Sequence, residues 1–129
     1  MDADLVGLSA CEQRRLLGAG EVSARELLAA HVERIEAVND AVNAIVAFDP
    51  SVGAARAAAV DDAVAAGEPL GPLAGLVTAH KDLTETAAFP TAYGSPLLAG
   101  FRPSATATMP QARAAAAPPL DPPAERARS

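Results

Sequence analysis

The sequence predicts an α/β fold, a partial sheet with helices on at least one side, followed by a disordered tail. Three observations lead there. Three stretches before Gly67 read as helices, two of them capped at their start by Ser-x-x-Glu. Two short runs, Val42 to Phe48 and Leu76 to His80, are β-branched or apolar in the manner of strands. Beyond Ser104 the residues that build a core are almost absent. The 129-residue chain thus divides into a folded segment over 1–104 and an Ala/Pro-rich tail over 105–129.

Each element has its own local cause. Ser9 and Glu12 stand at capping-box spacing, and the helix they start runs to about Leu17, where Gly18 and Gly20 stop it. Ser23 and Glu26 repeat the device. The second helix carries Leu27, Leu28, His31, Val32, Ile35 and Val38 on one stripe, with its charges mostly off that stripe, and Asn39-Asp40 ends it. Asp49 caps a third, alanine-rich helix with Pro50 in its first turn, where a missing amide costs nothing; Gly67 ends it. Glu68 to Gly75 is a loop with two prolines and two glycines, and Thr84 to Gly100 is rich in turn residues. Residues 105–129 hold nine alanines and five prolines, with Leu120 the only Leu, Ile, Val or Phe. Pro118-Pro119 and Pro122-Pro123 exclude a continuous helix there, and nothing can form a core.

Composition narrows the function. Alanine accounts for 33 residues, whereas Leu, Ile, Val and Phe number 28 together, so the core is thin and a protein partner is expected to cover an exposed face of it. A net charge of −6 and only four aromatic side chains (Phe48, Phe89, Tyr93 and Phe101) argue against nucleic acid, which needs clustered cations and stacking surfaces. Cys11 stands alone, so no intrachain disulfide and no cysteine zinc site can form. The acidic start Met1-Asp2-Ala3-Asp4 is unlike a secretory signal, and no apolar run approaches the roughly 20 residues of a membrane span. The expected compartment is the cytoplasm.

Lys81 is the candidate catalytic residue. Nine of the ten basic residues are arginine, and Lys81 is the single lysine. It closes an apolar run, where α/β sheets commonly present reactive groups, and burial can turn lysine, unlike arginine, into a neutral base. The plain alternative is a strand-end lysine with its ammonium in water, paired with Asp82. Strand alternation puts His80 on the opposite face from Lys81. His31, on the apolar stripe, reads as a core or boundary residue, Asp61-Asp62 as a solvated helix face, and Ser95 in Tyr93-Gly94-Ser95-Pro96 as a turn residue. Two histidines without suitably spaced carboxylates make no metal site, and there is no glycine-rich phosphate loop.

The run Gly71-Pro72-Leu73-Ala74-Gly75-Leu76-Val77-Thr78-Ala79-His80-Lys81-Asp82-Leu83 resembles the N-terminal part of the amidase signature family. So do Pro90 to Phe101, Ser23 to Leu28, and Asn43-Ala44, over about residues 5–104 in all. The resemblance implies an incomplete amidase-type α/β/α fold and hydrolysis of amide bonds in small molecules. It implies a triad of a nucleophilic serine, a second serine on a cis peptide, and the lysine at Lys81, with no cofactor and no metal. The family's usual histidine and proline are Ala74 and Val77 here. Its serine- and glycine-rich segment lies well downstream of the lysine, and this chain ends 48 residues after Lys81 without it. The sequence therefore reads as a family member cut short, by truncation or a shifted frame, and inactive alone. Two other readings are a non-catalytic interaction module and a piece of the related subunit of the tRNA-dependent amidotransferase.

Overall fold

The computed structural model describes residues 4–115. A 3-10 turn at Leu5–Gly7 precedes helices α1 (Ala10–Ala19), α2 (Ala24–Val42) and α3 (Ser51–Ala65). A long irregular stretch with a 3-10 turn at Pro96–Leu98 leads to α4 (Thr108–Ala115).

The helix ends follow the chemistry of their caps. Ser9 accepts the Glu12 amide at 3.2 Å, while the Glu12 carboxylate turns to Arg15 instead of closing a box. Gly20, at φ 67°, ends α1 with its N–H directed at the carbonyls of Leu16 and Leu17. Ser23 and Glu26 form the full reciprocal box at the start of α2: the Glu26 amide donates to Ser23 Oγ, and the Ser23 amide donates to Glu26 Oε2. Asp49 accepts both the amide and the hydroxyl of Ser51 where α3 begins.

The core lies where α1, α2 and α3 meet the loop that follows α3. Leu17, Leu27, Val60 and Ala74 are almost completely buried, with Ala24 and Ala57 beside them. Leu5, Val22, Leu28, Val64, Leu70 and Val77 pack around this cluster. Burial of each leucine here contributes about 1.5–3 kcal/mol, and the alanines contribute mainly by letting α2 and α3 approach. The buried amide of Gln13 holds the first turn in place through the carbonyls of Leu5 and Leu8.

The expected α/β class is not what forms: among the described residues there is no strand, and the fold is helical. Val42 belongs to α2, which runs past Asn39-Asp40 and ends on Asn43 at φ 47°. Both backbone groups of Ile45 are taken by the side chain of Asn39, which donates to its carbonyl and accepts from its amide at 2.9 Å each. One asparagine amide thus does for Ile45 what a neighbouring strand would do. Leu76 closes a turn onto Leu73, and no strand lies alongside 76–80 among the described residues. A β-branched run becomes a strand only when another backbone supplies its partners.

Part of the stretch expected as disordered tail is also helical. Pro110 falls in the first turn of α4, where its missing amide removes no intrahelical bond. Ala107 N–H donates to Glu85 C=O and Ala87 N–H to Thr106 Oγ1, which ties the approach to α4 onto residues 85–87. Residues 116–129 of the expected tail lie outside the described residues.

Candidate functional site

The path to Lys81 starts on the helical core. Arg14 of α1 donates to the carbonyls of Leu70 and Gly71 at 3.1 Å each, which pins the loop after α3. Ala74 is fully buried, and Gly75 turns the chain at φ 77°. A Cβ at Gly75 would stand 2.8 Å from Leu17 Cδ1 and 3.3 Å from Val60 Cγ1, so a side chain there would displace the core. Val77 still packs against the cluster, and Thr78 to Lys81 then emerge at the surface.

Lys81 is exposed, and its carbonyl accepts the Thr84 amide at 2.9 Å. Among the described residues its ammonium joins no ion pair. In particular it does not pair with Asp82. That carboxylate faces the following turn, accepting the Ala92 amide at 2.8 Å and the Gly94 amide at 3.3 Å. Tyr93 lies between these amides at φ 53°, and its hydroxyl donates to Glu85, which raises the phenol's pKa above its ordinary value. Ser95 is a turn residue, its amide closing onto Ala92, and Thr91 behind it is buried with its amide on Phe101.

Neither His80 nor Lys81 lies in a strand, so the alternation expected to set them on opposite faces does not apply. His80 is exposed as a residue, yet partial desolvation of its ring, then the positive charges of Arg113 and Arg56, hold its pKa below the usual imidazole value. His31 is a boundary residue whose Nδ1 meets the Leu27 carbonyl at 2.9 Å. Asp62 is exposed as expected, but Asp61 is not a solvated residue. Its carboxylate leaves α3 to accept the amides of Ala24 and Arg25 at the start of α2. Neither this cap nor the Asp82 clasp is legible in the sequence, because each joins residues whose proximity only the folded chain creates. Among the described residues no group of three or more His, Cys, Asp or Glu could hold a metal ion, and no helix is long and apolar enough to cross a membrane.

Residues 26–117, most of the chain, match the model of the amidase family. The chain belongs to the amidase family. The match extends past Ser104 into α4. Amidase-family relatives include a glutamyl-tRNA(Gln) amidotransferase subunit from Salinispora arenicola, 48% identical over 82% of this chain and 22% of that protein. The subunits of the same name from Acidothermus cellulolyticus and Thiobacillus denitrificans are 44% and 45% identical, over 84% and 66% of this chain. The chain spans about a fifth of the length of these curated relatives.

Proposed function

We propose that this amidase-family chain carries the lysine of an amide-hydrolysing site, with Lys81 as the proton acceptor. One observation carries the reading. The only lysine of the chain is held at the surface, without a carboxylate partner among the described residues, at the end of a segment anchored to the core by Arg14, Gly75 and Val77. A primary amine, once neutral, can accept a proton, which a guanidinium cannot do near neutral pH. In the reaction proposed, neutral Lys81 takes a proton from a bridging serine. That serine takes the proton of a nucleophilic serine as its oxygen attacks the amide carbon; the proton held by Lys81 returns through the bridging serine to the leaving nitrogen as the C–N bond breaks, and water then cleaves the acyl-serine.

The names of the relatives favour a subunit of an amidotransferase over a free-standing hydrolase, with a side-chain amide such as that of glutamine as the substrate class. Apolar side chains left at the surface, Leu97 at 94% exposure foremost, support the further reading that the chain works against another protein surface. Among the described residues no serine is hydrogen-bonded to Lys81.

The test joins residues 26–117 to the remainder of the Salinispora arenicola protein. The chimera is expected to hydrolyse glutamine, and Lys81→Arg is expected to lower kcat by roughly a thousandfold or more, because the proton acceptor acts with the serines as a unit. Full activity in the Lys81→Arg chimera refutes the role. The unfused chain is expected to leave a simple aryl amide intact; turnover abolished by Lys81→Ala would overturn that expectation.

A further inference from the structure

We infer that Asp82 is a positioning residue for Lys81, acting by clasping the Lys81–Thr84 turn to the Ala92–Gly94 turn. The inference rests on the reading of Lys81 as the reactive amine and adds the device that aims it. Adjacent residues divide the work: Lys81 presents an ammonium with no ion-pair partner among the described residues, while Asp82 spends both carboxylate oxygens on backbone amides ten and twelve residues ahead. An ionised carboxylate accepting two amides makes charge-assisted bonds with a defined geometry. Here they fix the chain on one side of Lys81, and the Thr84 amide on the Lys81 carbonyl fixes the turn that follows.

The other side of the clasp is equally constrained. Tyr93 adopts a left-handed conformation, which a residue with a Cβ enters only when its surroundings compel it. The Ala92 and Gly94 amides that flank it reach Asp82, its hydroxyl reaches Glu85, and the Ser95 amide closes the turn on Ala92. Glu85 in turn receives Ala107 on its carbonyl. The strained residue and the two acids that hold it surround the turn that Lys81 opens. Without Asp82 the two turns lose the bonds that join them directly, and the backbone that carries Lys81 loses its tether.

The single lysine makes the test specific. In the full chain, lysine labelled with carbon-13 at Cα gives one backbone signal, and amide exchange can be read at Ala92 and Gly94. Asp82→Asn is expected to speed exchange at both amides by about tenfold or more, the equivalent of losing a charged acceptor. The Lys81 signal is expected to move to its random-coil position, while helical circular dichroism is unchanged. Asp82→Glu, with an acceptor of the same charge, is expected to restore part of both effects. Unchanged exchange in Asp82→Asn overturns the clasp, and faster exchange with an unmoved Lys81 signal overturns the positioning. Failure of the catalytic reading would register elsewhere, as an active Lys81→Arg chimera.

Discussion

Asp61→Ala tests whether a carboxylate from α3 sustains the start of α2. The Ala24 amide donates to Asp61 Oδ1 at 2.6 Å, and Ala24 is 1% exposed, so water cannot readily replace the lost acceptor. Leaving a buried amide unsatisfied costs about 1–3 kcal/mol. Removing a negative charge from the first turn of a helix adds about 0.3–1 kcal/mol. The Arg25 pair contributes close to nothing, since its separation is 3.8 Å and the arginine is largely in water. The expected loss is about 2–3 kcal/mol, which for a urea m-value of about 1–3 kcal/mol/M moves the midpoint down by on the order of 1–2 M. Urea unfolding followed by circular dichroism measures it. Asp62→Ala, next in sequence but exposed, is expected to stay within about 0.5 kcal/mol of the parent. Equal midpoints for the two variants would refute the interhelical cap.

Three further outcomes follow from the same geometry. Gly75→Ala is expected to destabilise by about 2–4 kcal/mol in the same titration, since a left-handed alanine is strained and its methyl would meet Leu17. Arg14→Ala is expected to cost about 1–3 kcal/mol through two lost bonds to carbonyls, and to speed proteolysis between Leu70 and Gly75. Glu26 has its pKa lowered first by the Ser23 amide and then by the Ser23 hydroxyl. Because the folded value lies below 4.5, this stabilisation is complete above pH 4.5 and is lost as the pH falls through the folded value. Helicity followed from pH 6 to pH 3 is expected to fall less steeply in Glu26→Gln, about in proportion to the proton no longer taken up.

Local chemistry was legible where neighbouring residues decide the outcome. Ser9, Ser23 and Asp49 mark the helix starts, Gly20 marks one end, and the Lys81-Asp82 segment marks the family, because each signal lies within a few residues of its effect. The class of the fold was not legible in the same way. Val42 to Phe48 has the composition of a strand, but Asn39 supplies the hydrogen bonds that Ile45 would otherwise seek in a sheet. Residues 108–115 read as tail because they hold no Leu, Ile, Val or Phe, and they form α4 after a stretch bonded to residues 85–87.

By itself the sequence determined where α1, α2 and α3 begin and that the core would be small and rich in alanine. Tertiary structure alone decided that Asp61 caps another helix, that Arg14 and Gly75 anchor the road to Lys81, and that Asp82 turns from its neighbouring lysine to the amides of Ala92 and Gly94. The physical reason is range. Caps and propensities act over one helical turn, whereas a carboxylate's choice between a cation and distant amides depends on which of them the folded backbone brings within about 3 Å.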